Sequence, residues 1–157
     1  MLENIITWKN INSLLRYCNS LTPGDCIDLD LGMESGRIQD NNIIASSAIS
    51  QTKNGRLSNA RAWCAVTADN INPFLQIDLR TLHIICAVST QGNPEADQWV
   101  ETYTLQVSTD GSTWTDYKED GQVKVTTEVN VRALFPCHIV TVMSLYVKQS
   151  CVLILFQ

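Results

Sequence analysis

Acid–base chemistry near neutral pH calls for an imidazole or a perturbed carboxylate, and this chain of 157 residues has two histidines, His83 and His138. His83 stands beside Ile84 and Ile85 and reads as a strand residue rather than a proton carrier. No G-x-S-x-G elbow, H-E-x-x-H pair, P-loop or G-x-G-x-x-G turn occurs, so hydrolytic, zinc-dependent and nucleotide chemistry have no motif to rest on. The carboxylates of Asp28 and Asp30 are close enough in sequence for a structural Ca²⁺ contact, although two solvated or capping groups are the commoner case. The six cysteines are Cys18, Cys26, Cys64, Cys86, Cys137 and Cys151; an even number permits disulfides, and the absence of a C-x-x-C pair removes a zinc ribbon or dithiol redox site. Cys64 and Cys86 sit among apolar neighbours and read as buried free thiols.

What remains is recognition by charge. The formal net charge is −5, which argues against binding nucleic acid through phosphate neutralisation. The charge is unevenly spread. From Asn41 to Ala68 only one sign occurs, carried by Lys53, Arg56 and Arg61, whereas Glu95, Asp97 and Glu101 reverse it further on. The simplest expectation is that all of these sit on solvated loops.

Those loops need a frame. With 45% hydrophobic and 17% charged residues, few Gly and Pro and no linker-like stretch, the chain is sized and composed for one domain. Residues Trp8, Ile11, Leu15 and Cys18 have helical spacing, and Thr22-Pro23-Gly24-Asp25 ends that lead. No signal peptide is legible in it, because Glu3, Lys9 and Arg16 interrupt any apolar stretch. From Phe74 the period becomes two: Leu75, Ile77 and Leu79 alternate with Gln76, Asp78 and Arg80, as do Tyr103, Leu105 and Val107 with their polar neighbours. A second run, His83 to Val88, predicts a separate, more apolar strand. Asp110-Gly111 and Asp120-Gly121 mark tight turns, and Val123, Val125, Val129 and Val131 alternate after them. Ile139 to Phe156 is almost free of charge and near the lower length of a membrane span, yet Lys148, Gln149 and Ser150 divide it. Two strands, Ile139 to Val147 and Cys151 to Phe156, are expected. Short strands between turns predict an all-β sandwich or jelly roll.

An ordered series of segments carries a family resemblance. It runs through Leu31-Gly-Met-Glu-Ser-Gly-Arg-Ile-Gln-Asp40, Ile44-Ala-Ser-Ser47, Gly55-Arg-Leu57, Ala62-Trp-Cys-Ala65 and Phe74-Leu-Gln-Ile-Asp-Leu79. It continues with Ser89-Thr-Gln-Gly92, Trp99-Val100 and Tyr103-Thr-Leu-Gln-Val-Ser-Thr-Asp-Gly-Ser-Thr-Trp114. Over about Cys26 to Lys118 this resembles the discoidin domains, the type C domains of coagulation factors V and VIII, of galactose-binding-like architecture. The resemblance implies a distorted jelly-roll β-sandwich or barrel over 26–157, after a lead of 1–25, with an atypical C-terminal end after about residue 125. It implies a disulfide between Cys26 and Cys151, no cofactor beyond the structural calcium some such domains hold, and core positions for Trp63 and Trp114.

The resemblance also implies a binding surface on loops at one end: Ala48 to Arg61, Asn93 to Gln98, and a third near Glu119 to Gln122. Membrane insertion is not expected, since the second loop has neither a large apolar side chain nor positive charge. A sugar asks for amide, carboxylate and guanidinium groups at a concave rim, and Gln51, Lys53, Asn54, Arg56, Asn93, Glu95, Asp97 and Gln98 supply them. Trp99 is either the aromatic platform of such a site or a core tryptophan at the start of a strand. The expected function is a non-enzymatic, extracellular or cell-surface recognition module, part of a longer protein, binding a glycan or glycoprotein in cell adhesion or matrix attachment. The alternatives are a purely protein-binding adhesion module and an accessory domain of an enzyme.

Overall fold

The computed structural model describes residues 31–47, 49–66, 72–126, 132–147 and 151–156. The expected N-terminal helix, Cys26, Asp28 and Asp30 lie outside the described residues. Within them the chain is all β, with two short 3-10 turns, Asp40–Asn42 and Ile49–Gly55, and no α-helix. The strands are β1 (Ile43–Ala45), β2 (Trp63–Cys64), β3 (Phe74–Gln91), β4 (Tyr103–Ser108), β5 (Thr115–Asp116), β6 (Lys118–Glu119), β7 (Gln122–Val123), β8 (Arg132–Val147) and β9 (Cys151–Phe156). The main sheet runs β2-β9-β3-β8-β4-β5, with β1 beside β3, and β6 and β7 form a separate hairpin.

Period-two alternation sets the register. Leu75, Ile77, Leu79, Leu105 and Val107 are all buried, while Gln76 and Asp78 are only half-buried. The expected pair of strands over 74–88 is instead one 18-residue strand, β3. Its pairing with β8 shifts between Asp78 and His83 and again between Ile85 and Ala87, and Arg80 takes φ 66°. These irregularities let one strand bend and serve two neighbourhoods: residues 75–77 pair with β1, and residues 88–91 pair with β9.

Trp63 is fully buried, and its Nε1–H donates to the Ser47 carbonyl at 3.1 Å, the partner a buried indole requires. Trp114, by contrast, is only half-buried. The two Asp-Gly pairs behave differently. Asp120 and Gly121 have φ 51° and 78°, the two left-handed positions of a two-residue hairpin turn, and join β6 to β7. Asp110 instead organises a six-residue connection from β4 to β5. Its carboxylate accepts the N–H groups of Thr113 (2.7 Å) and Ser112 (2.8 Å) and the Thr113 hydroxyl (3.0 Å). Those donors hold the Asp110 carboxyl well below the usual carboxylate range.

As far as it lies in the described residues, at Val123 and Val125, the alternation after Asp120 does not mark a core face; Val129 and Val131 lie outside them. Val123 and Val125 are 40% and 53% exposed, whereas Thr126 is buried, because the Tyr103–Thr126 bridge turns the valines outward. The apolar tail forms two strands as expected, with β8 beginning earlier, at Arg132, and lying between β3 and β4. No helix among the described residues is long and apolar enough to cross a membrane.

Two connections position the expected binding loops: the one from β1 to β2, containing the turn Ile49–Gly55, and the one from β3 to β4, around residues 92–102. Glycine at position 55 lets the first lie against the core, since a Cβ there would meet Leu75 Cδ2 at 2.6 Å. The Ser58 N–H donates to the Gln91 side-chain oxygen at 3.2 Å and ties the first connection to the start of the second.

Candidate ligand-binding groove

The two connections face each other across a groove of about 380 Å³. It is lined by Gln51, Lys53 and Asn54 from the 3-10 turn, Arg61 and Ala62 from the approach to β2, Cys64 from β2 itself, and Asn93 and Glu95 from the second connection. A second groove of about 480 Å³ shares Asn93 and is lined by Gln91, Gly92, Pro94, Ala96, Asp97, Gln98 and Trp99. Eight of the nine rim residues read from the sequence therefore border one or other of these two grooves, which share Asn93.

The loop from Asn93 to Gln98 is preorganised by its own polar groups. Asn93 Oδ1 accepts the Glu95 N–H at 3.1 Å, its Nδ2 donates to Gln98 Oε1 at 3.0 Å, and its main-chain N–H donates to the Gln98 carbonyl at 2.8 Å. Asn93 thus shapes the loop as much as it lines it. Trp99 is 41% exposed, so the core alternative for this residue is not realised. It borders the second groove together with Asp97 and Gln98.

Charge at the rim divides into paired and unpaired groups. Arg61 Nε lies 3.7 Å from Glu95 Oε1, an ion pair between two side chains that are 70% and 57% exposed. Lys53 has no ion-pair partner among the described residues. Arg61, the last residue of the expected first binding loop but not among the nine rim residues, also lines the first groove.

Arg56 is elsewhere. Its guanidinium, only 13% exposed, donates to the Met33 carbonyl (2.7 Å), the Ile38 carbonyl (2.6 Å) and Asp40 Oδ1 (2.6 Å). It fastens the segment before β1 to the 3-10 turn and borders neither groove. The expectation that it sits on a solvated loop fails because those carbonyls need a donor and Arg56 reaches them. The third segment, Glu119 to Gln122, forms the β6–β7 hairpin, where Lys124 pairs with Glu119; it borders neither groove.

Cys64, at the edge of the first groove, is disulfide-bonded, which corrects the free-thiol expectation for this residue. Cys151 stands directly opposite it in the antiparallel β2–β9 register. No cluster of three or more potential metal ligands occurs among the described residues. His83 lies on β3, where burial lowers its pKa and Thr81 is its hydrogen-bond partner.

Comparison with known proteins fits this geometry. The F5/8 type C domain family matches residues 40–148, which carries the likeness through β8 and well past Lys118. The chain is 36% identical over 103 residues to neuropilin-2 of Rattus norvegicus and 36% identical over 104 residues to coagulation factor V of Bos taurus. These matches cover 60% and 57% of this chain. The matched part spans only 11% and 4% of those relatives. Among solved structures, recombinant discoidin II of Dictyostelium discoideum superposes with a TM-score of 0.60 at 19% identity, over 73% of this chain and 54% of that one. CpGH89CBM32-5 from Clostridium perfringens, in complex with GalNAc-β-1,3-galactose, superposes with a TM-score of 0.55 at 13% identity, over 75% of this chain and 94% of that one. Sequence series, strand order and family match agree: the chain belongs to the F5/8 type C, or discoidin, family of binding modules.

Proposed function

We propose that this domain is a glycan-recognition module whose ligand lies in the paired grooves between the β1–β2 and β3–β4 connections. The observation that carries the reading is convergence. Gln51, Lys53 and Asn54 meet Asn93 and Glu95, about forty residues away in sequence, around one concavity, with exposed Trp99 beside it. Hydroxyl-rich ligands are held by amide and charged groups at fixed positions, and an indole face covers the apolar side of a pyranose ring. The galactose-containing ligand of the Clostridium perfringens relative in fold supports the same class of ligand.

The module acts outside catalysis, in attachment of a larger protein to a cell surface or matrix glycoprotein. The Cys64 disulfide supports an oxidising, extracellular setting, because such bonds persist there and are rare in the cytosol. A glycan array at low salt tests the reading. Binding to a defined set of sugars is expected, with signal reduced roughly tenfold or more in a Gln51→Ala, Asn54→Ala double variant. Silence on the array together with tight capture of a deglycosylated cell-surface protein would replace the glycan with a protein partner.

A further inference from the structure

The first groove presents two cationic side chains, Lys53 and Arg61. Arg61 presents a planar guanidinium, and its ion pair with Glu95, Nε to Oε1, is 3.7 Å, too long for a hydrogen bond. The two terminal nitrogens of Arg61 have no hydrogen-bond partner among the described residues. The Lys53 ammonium, on the 3-10 turn of the same connection, has no ion-pair partner among them either, and both residues border the same concavity. Among the described residues lining that groove Glu95 is the carboxylate, so they carry two positive charges against one negative.

Neither charge is needed to hold the fold. An ion pair this exposed contributes about 0–1 kcal/mol, so opening it costs little. The frame is held by other groups, among them Arg56 and the Asn93 hydrogen bonds. A fork of parallel N–H donors is the arrangement that matches a carboxylate bidentately, whereas a single ammonium acts as a point charge.

Resting on the glycan reading above, we infer that the groove is selective for a saccharide bearing a carboxylate, a uronate-type sugar. The ligand carboxylate exchanges for Glu95 on Arg61, Lys53 supplies further attraction within the same groove, and Glu95 sets a threshold that favours ligands carrying their own negative charge. Arg61 is thereby the specificity-determining residue, and Glu95 is its resident competitor. The exchange involves no covalent step and no net proton transfer.

The test is calorimetric titration of the whole chain with a galacturonate disaccharide and with the corresponding galactose disaccharide, in low and in physiological salt. The wild-type chain is expected to prefer the acidic sugar by roughly tenfold at low salt, with the preference shrinking as salt rises. Arg61→Gln should bring the acidic-to-neutral ratio to about one, and Glu95→Gln should raise affinity for the acidic sugar several-fold. Circular dichroism and melting of both variants establish that the fold is retained. Equal binding of the two sugars by the wild-type chain overturns the inference while leaving the glycan reading standing. A preference that survives Arg61→Gln overturns it as well. If neither sugar binds, nor any sugar on an array, the glycan reading fails and the inference fails with it.

Discussion

Arg56 and Arg61 are five residues apart in one connection, and both look like loop charges in the sequence. The fold treats them oppositely. Arg56 turns inward and gives its donors to two main-chain carbonyls and Asp40, at 13% exposure. Arg61 turns outward onto the groove, 70% exposed, against a single distant carboxylate. The same division separates Asp110, whose oxygens organise the β4–β5 connection, from Glu95 and Asp97 on the rim. A charge does structural work where the main chain leaves unpaired groups that it can reach, and is free for recognition where the backbone is already satisfied.

That contrast can be broken or sharpened by substitution, beginning beneath the first connection. Leu75 is fully buried and lies directly under the 3-10 turn at Gly55. Leu75→Ala should cost about 2–5 kcal/mol, since it leaves a cavity under both the sheet and the binding connection. Chemical denaturation measures this; a loss below about 0.5 kcal/mol, the size of a surface change, would remove the residue from the core.

The direct comparison comes next. Arg56→Ala should destabilise by about 1.5–3 kcal/mol, through loss of charge-assisted hydrogen bonds that leaves the Met33 and Ile38 carbonyls short of a donor. Arg61→Ala should fall within about 0.5 kcal/mol of wild type. Equal losses at the two positions would erase the distinction between frame and rim.

Acid titration gives a smaller effect of the same kind. The folded Asp110 carboxyl ionises well below its ordinary value because it accepts hydrogen bonds from the Thr113 and Ser112 N–H groups. The stability it contributes is therefore present above the unfolded value of about 3.9 and is lost as pH falls from there toward the folded value. Asp110→Asn should flatten this acid limb of the stability curve without altering the neutral-pH grooves. An acid limb as steep as that of wild type would show that other carboxylates carry it.

Disulfide mapping sharpens the account of the groove wall. Opposed Cα atoms in an antiparallel pair are about 4.5–5.5 Å apart, within the span of a disulfide. Because Cys64 is bonded and faces Cys151 in register, non-reducing peptide mapping should recover a Cys64–Cys151 link. Recovery of the Cys26–Cys151 link implied by family resemblance would mean that Cys64 has a different partner.

Much of the frame was legible because it follows from period and turn chemistry. Leu75, Ile77 and Leu79 declare a buried face, and Asp120-Gly121 declares a two-residue turn. The merger of two expected strands into β3 was not legible, since it depends on bulges that only pairing with β8, β1 and β9 makes worthwhile. The same limit applied to Val123 and Val125, whose alternation is real but whose face is decided by a remote bridge to Tyr103. At the groove, residue types were informative and their partners were not. Nothing local says that Arg56 reaches carbonyls 18 and 23 residues away, or that Cys64 stands opposite Cys151. Trp99 was ambiguous for a similar reason, because exposure is a property of the assembled rim.

The central claim is that the grooves joining the β1–β2 and β3–β4 connections are where a saccharide binds. Its most direct test is an NMR titration of the isotopically labelled chain with an oligosaccharide selected from the glycan array. The account predicts shifts concentrated at Gln51, Lys53, Asn54, Arg61, Glu95 and the Trp99 indole N–H, with the β6–β7 hairpin unmoved. Shifts confined to that hairpin or to the exposed faces of Ile44 and Val125, with the groove residues silent, would contradict it.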